Sequence, residues 1–146
     1  LEEGKADILG LYMITQLHAK GEVEGDIKSY YTTFMASIFR SIRFGTSSAH
    51  GKANMIRFNF FKDQGVFNRS EDGKYTIDYD KMNDAMNALS ARILKLQGDG
   101  DYEGVAKLVA EETVIREDLA SDLARLADLG IPVDVVFEQG VEVLGL

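Results

Sequence analysis

Five apolar side chains, Met82, Met86, Leu89, Ile93 and Leu96, recur at intervals of four, three, four and three residues. That spacing puts all five on one face of an α-helix, where about 3.6 residues complete a turn. A strand would need alternation by two, so this stretch has one local solution. The stripe could form a coiled-coil seam, but it is too short to require one, and packing into a core is the simpler use. Gly98 and Gly100 break the pattern.

The same periodicity continues on either side. The first segment, about Glu2 to Ala19, carries Ile8, Leu11, Tyr12, Ile14 and Leu17 around much of its circumference. This predicts a buried helix ending near Gly21. A second helix is expected from about Glu24 to Phe44, with Ile27, Tyr31, Phe34, Ile38 and Ile42 on one face and Gly45 as a left-handed terminator. In TSSAHGKANMIRFNFF, Ser47 or Ser48 can cap a third helix by accepting a hydrogen bond from an unpaired backbone N–H. Ala53, Ile56 and Phe60 form its expected inner stripe. A fifth helix, about Asp101 to Glu112, aligns Val105, Leu108 and Val109, and a sixth, about Arg116 to Leu129, aligns Leu119, Leu123 and Leu126. Gly130 and the single proline, Pro132, stop the last of these.

Two stretches leave the helical period. Val66-Phe67 and Tyr75-Thr76-Ile77 flank a polar run ending in Asp72-Gly73, which reads as a short hairpin. The tail VDVVFEQGVEVLGL is apolar and β-branched and is expected to pack as an extended strand along the body. The fold class is therefore mainly α: a bundle of about six helices with a short β-hairpin and an extended C-terminal tail. Residues 1–146 read as a single unit. Leu1 stands just before a helix already under way, so the sequence reads as a fragment of a longer protein.

Composition excludes several functions. The net charge of −8 would repel a nucleic-acid backbone at long range. The only basic set in its favour, Arg40, Arg43, Lys52 and Arg57, is thin. No apolar run approaches the ~20 residues of a membrane helix. There is no cysteine, which excludes disulfides and thiolate metal sites and fits a reducing, cytoplasmic setting.

Few residues can do chemistry. His18 and His50 are the only histidines and are too far apart for a zinc pair on one helix. His18 sits where the first helix ends and reads as surface. Phosphate-binding glycine loops and nucleophile elbows are missing. Three acids, Glu2, Glu3 and Asp7, crowd the first two turns of the first helix. Acids near a helix start favour its positive dipole end. Yet Glu3 and Asp7 share a face, and Asp7 runs straight into Ile8-Leu9-Gly10-Leu11, so a carboxylate at that border needs a partner such as a cation or a metal-ligating histidine. His50, in the first turn of a capped helix, could donate a hydrogen bond to a developing oxyanion or bond a nearby carbonyl.

These residues resemble a known family. EEGKAD at Glu2–Asp7, continuing as ILGLY, resembles the EECRAE-type motif of dipeptidyl peptidase III, a zinc-dependent metallopeptidase. AHGKANMIRFNFF at Ala49–Phe61 is similar to the family's AHMQARF-type segment, and GDYEGVAKLV at Gly100–Val109 to its GD-x-x-G-x-x-x-L segment, in similar order and at similar distances. In that family two histidines of an HExxGH helix and a glutamate bind zinc, and the glutamate of HExxGH is the general base. The resemblance implies that Glu3 is the metal-binding glutamate. It also implies that Glu2 and Asp7 hydrogen-bond the zinc-bound histidines, and that His50 binds substrate and stabilises the transition state. Three protein ligands leave an open position for water, whose pKa the metal lowers. Gly4 replaces the motif's cysteine, Lys5 its arginine and Asp7 its last glutamate, while Asn54 stands where the second segment has arginine. HExxGH itself is absent and is expected upstream of Leu1.

The expectation is thus the C-terminal part of the catalytic domain of a dipeptidyl peptidase III-like zinc peptidase, inactive alone. Zinc is expected in the intact parent and not in this stretch by itself. The partners would be the upstream HExxGH part of the same domain and a peptide substrate, with no nucleic acid and no membrane. Two alternatives stand beside it. One is a non-catalytic helical interaction module, presenting its acidic surface and the Met82–Leu96 stripe to a protein. The other is part of a hydrolase joined to a Nudix-type domain.

Overall fold

The computed structural model describes residues 1–135 and 137–145. Along the chain run α1 (Glu2–Ala19), α2 (Ile27–Ile42), α3 (Ala49–Asp63), β1 (Phe67–Arg69), β2 (Tyr75–Ile77), α4 (Tyr79–Gly98), α5 (Tyr102–Glu112), α6 (Glu117–Asp128) and the single turn α7 (Val141–Leu144). The fold is mainly α with one antiparallel hairpin, as the periodicities indicate.

Helix α3 is the axis of the core and touches α1, α2, α4, α5 and β1. It starts where Ser48 accepts a hydrogen bond from the Gly51 N–H at 3.0 Å, which settles the choice between the two serines. The expected stripe of Ala53, Ile56 and Phe60 is buried, but so is every residue from Ala53 to Phe61. A helix surrounded on all sides must also bury its polar residues, and each then needs partners. Asn59, fully buried, donates from Nδ2 to the Glu112 and Val114 carbonyls, each at 2.9 Å. This ties the α5–α6 junction to the core.

The stripe on α4 points inward. Met82, Met86, Leu89 and Ile93 are buried and Leu96 packs at the edge of the core. Burying such side chains contributes about 1.5–3 kcal/mol each. The stripe is therefore spent inside the fold and is not a free docking face. Helix α1 differs from expectation in the other direction. Only Gly4, Ile8 and Leu11 are buried, while Met13 lies 54% exposed. The helix lies against α2, α3 and α4, and Glu2, Ala6, Gly10 and Met13 on its outer side stay exposed.

The hairpin pairs Phe67 with Ile77, Asn68 with Thr76 and Arg69 with Tyr75. Gly73 adopts φ +75°, the left-handed conformation its turn requires. Helix α6 clamps this hairpin. Asp122, which lies between the expected Leu119 and Leu123, is buried and accepts from Arg69 Nε and Nη2 at 2.7 and 2.8 Å and from the Tyr75 hydroxyl at 2.8 Å. Phe61 stacks on Phe67 at 5.1 Å beneath.

The tail departs from its expected course as a packed strand. Residues 131–135 and 137–140 form no strand, and Val141–Leu144 make one helical turn. Val136 lies outside the described residues. Arg43 donates to the Ile131 and Pro132 carbonyls at 2.5 and 3.0 Å and fixes the start of the tail. Beyond that, Val135, Phe137 and Leu144 remain exposed. β-Branched residues favour a strand only where a neighbouring edge can pair with them, and among the described residues the one sheet is the two-stranded hairpin.

Candidate active site

The starts of α1 and α3 meet because small residues line their contact. Gly4 is buried against Ala53, and a Cβ at Gly4 would lie 3.7 Å from the Ala53 Cβ. One residue before Gly4, Glu3 faces His50: Oε2 lies 3.3 Å from Nδ1. Both side chains stay largely open, 46% exposed for Glu3 and 73% for His50. The backbone beneath His50 is held firmly. Asn54 Nδ2 donates to the His50 carbonyl at 2.9 Å, and a Cβ on Gly51 would collide with the Gly45 carbonyl oxygen. Glycine is needed there for close approach, not for its φ.

His50 and Asp7 line one cavity of about 460 Å³ between α1, α2 and α3, together with Asn54, Arg57, Ser37 and Ser41. Asp7 accepts a charge-assisted hydrogen bond from Arg57 Nη1. Arg57 is 3% exposed, so it does not belong to a surface basic patch with Arg40, Arg43 and Lys52. Burial pulls the pKa of its guanidinium down and the Asp7 carboxylate opposes that pull. Arg57 Nη2 donates to Asn54 Oδ1 at 2.5 Å, and the Phe34 ring centroid lies 5.7 Å from the guanidinium carbon.

Of the four residues singled out in the sequence, His50 and Asp7 line this cavity, and Glu3 stands beside it through its approach to His50. Glu2 turns toward α4, accepting from Gln97 Nε2 at 3.0 Å and lying 2.7 Å from Lys5 Nζ. Lys5 first, and Gln97 second, hold its carboxyl below the usual range. His18 bonds the Gly25 carbonyl at 2.8 Å and closes the α1–α2 connection, well apart from the site. Sequence reasoning missed Arg57. Its signal was a lone cation inside the apolar run of α3, which had to find a carboxylate once that run was buried.

Zinc takes typically about four ligands. Among the described residues no group of three or more His, Asp or Glu side chains is placed to hold a metal ion. Glu3, exposed at the helix start, fits as a single donor to an ion held mainly by other groups.

No family model matches the chain. Solved structures do. A dipeptidyl peptidase III from Caldithrix abyssi superposes with a TM-score of 0.85 over 92% of this chain at 34% identity. The fold is that of a dipeptidyl peptidase III segment. A dipeptidyl-peptidase III from Corallococcus sp. strain EGB matches equally, with a TM-score of 0.85 over 91% of the chain at 36% identity. A further relative, the protein named Nudix hydrolase 3 of Arabidopsis thaliana, is 38% identical over 136 residues, 92% of this chain. The chain spans 26% and 25% of the two dipeptidyl peptidase III structures and 18% of the Arabidopsis protein. Among the described residues no helix is long and apolar enough to cross a membrane.

Proposed function

We propose that this chain is part of a zinc-dependent peptidase catalytic domain and supplies one metal-binding carboxylate, Glu3, and one substrate-contacting histidine, His50. The observation that carries the reading is the 3.3 Å approach of Glu3 to His50 beside a peptide-sized cavity, in a chain with the dipeptidyl peptidase III fold. The remaining ligands and the general base come from an HExxGH helix elsewhere in the same domain.

Bound zinc would supply a Lewis acid and an activated water for attack on a peptide carbonyl. The chain's own residues position and hold. Glu3 offers a carboxylate from a helix start that Gly4 packs tightly against α3. Glu2 and Asp7 would accept from metal-bound imidazoles with the lone pairs that Gln97 and Lys5, and Arg57, leave free. His50 donates a hydrogen bond to the substrate oxygen as charge develops. The absence of cysteine accords with a cytoplasmic protein.

The test is zinc analysis and dipeptide release from a peptide substrate, using the full chain that carries residues 1–146. About one zinc per chain is expected, with turnover, while residues 1–146 alone bind no zinc tightly. A well-folded full chain without zinc sinks the assignment and favours a non-catalytic helical module. The likeness to the protein named Nudix hydrolase 3 favours a second reading of the parent, in which this peptidase-like part is joined to a Nudix-type hydrolase domain. Hydrolysis of a nucleoside diphosphate derivative by the full chain would support it.

A further inference from the structure

One guanidinium in the lining of this cavity, that of Arg57, is only partly satisfied. A guanidinium carries five N–H donors. Arg57 spends Nη1 on Asp7 and Nη2 on Asn54 Oδ1, while its Nε, buried, has no partner among the described residues. A buried donor without an acceptor is costly, so native structures rarely leave one. Arg57 is held in this orientation. Phe34 lies against it, and Asp7 and Asn54 hold both of its ends.

The rest of the lining also favours an acceptor. The first turn of α3, with Ser48, His50 and Gly51, forms part of the same lining and brings the positive end of the helix dipole to it. Ser41 adds a hydroxyl from α2, whereas the Ser37 hydroxyl already donates to the Phe34 carbonyl. Asp7, the carboxylate in the lining, is already taken by Arg57. What this arrangement lacks is an oxygen acceptor brought from outside.

We propose that Arg57 binds an acceptor oxygen of a peptide ligand seated in this cavity, either a backbone carbonyl or the C-terminal carboxylate. The proposal rests on the peptidase reading of the site for its ligand class. It adds a binding residue that neither the motifs nor the likeness to known structures assigns. It also accounts for the Asn54–Arg57 hydrogen bond: three residues apart on one helix, the two side chains meet, and Asn54 aims a guanidinium that enters the cavity from one turn further along α3.

The test is calorimetric binding of tetra-alanine, as free acid and as C-terminal amide, to the full chain after chelation so that no cleavage accompanies binding. Arg57→Met is expected to weaken binding about ten- to a hundredfold, the usual effect of losing a hydrogen bond to a charged group. Ser37→Leu fills the cavity from an exposed position on α2 without touching Arg57, and is expected to weaken binding as well. An amide that binds as well as the acid identifies the carbonyl as the acceptor, and one that binds only weakly identifies the carboxylate. Unchanged affinity in a well-folded Arg57→Met variant overturns the proposal, and so does a wild-type chain that binds neither peptide. If Arg57→Met does not fold, Ser37→Leu decides by the same criterion. Failure of the zinc and turnover measurements alone would sink the peptidase reading and leave this binding result standing.

Discussion

His50 Nδ1 lies 3.3 Å from Glu3 Oε2, joining the first turn of α3 to the first turn of α1. The pair is too exposed to hold the two helices together, since contacts of this kind in water are worth about 0–1 kcal/mol. The order of cause is the reverse. Gly4 against Ala53 brings the two helix starts close, Gly51 against the Gly45 carbonyl fixes the start of α3, and the two side chains are carried along.

Separating these roles is straightforward in variants of the full chain. Glu3→Ala is expected to abolish zinc binding, and His50→Ala to keep the metal while lowering kcat about a hundredfold. Neither should change unfolding free energy by more than about 0.5 kcal/mol, as is usual for exposed positions. Metal content, kcat and urea denaturation read the three effects independently. Full zinc content in Glu3→Ala would remove Glu3 from the ligand set.

Gly51→Ala tests the scaffold. The added methyl meets the Gly45 carbonyl oxygen, a backbone atom that cannot rotate aside. The α2–α3 connection must shift, at a cost of about 1–3 kcal/mol, and His50 moves with it. A lowered Tm with kcat reduced at unchanged zinc content is the expected pattern.

Acid should weaken the clamp between α6 and the hairpin. Asp122 is held down to a pKa of about 2, chiefly by Arg69 and further by Tyr75, against an ordinary value of about 3.9. The unfolded chain therefore binds this proton more readily than the folded one. The stability Asp122 contributes is complete above about pH 4 and is lost as pH falls toward 2. Asp122→Asn should be less stable at neutral pH and show a flatter unfolding midpoint across that window. Tyr75 runs oppositely. Burial and the neighbouring Asp122 carboxylate raise its phenol pKa, so its share is lost at high pH.

Asn59→Ala removes a buried donor shared by two carbonyls, those of Glu112 and Val114. Losing it should cost about 1–3 kcal/mol in urea denaturation. It should also quicken proteolysis between α5 and α6, the segment those bonds pin.

Local periodicity was enough to locate α2, α4 and α6 within a few residues, because each repeats the same choice over several turns. Asp72-Gly73 marked the hairpin for a similar reason: a glycine at positive φ solves that turn within the four residues that form it. A serine cap at Ser47 or Ser48 was legible on the same grounds, while the ordered motifs at Glu2–Asp7, Ala49–Phe61 and Gly100–Val109 were legible only through their resemblance to a family. What the sequence could not decide was partnership. Arg57 looked like surface charge until α3 proved to be enclosed and Asp7 proved to face it. Asp122 is an ordinary polar residue on α6 until Arg69 and Tyr75 arrive from the hairpin. Apolar composition foretold a buried α1 and a packed tail, but burial depends on what lies opposite. The described fold covers one side of α1 and little of the tail beyond Pro132. By itself, the sequence determined the main helices and the hairpin. Only the tertiary structure decided which polar groups meet, because their partners are far apart in the chain and no local pattern records the distance between them.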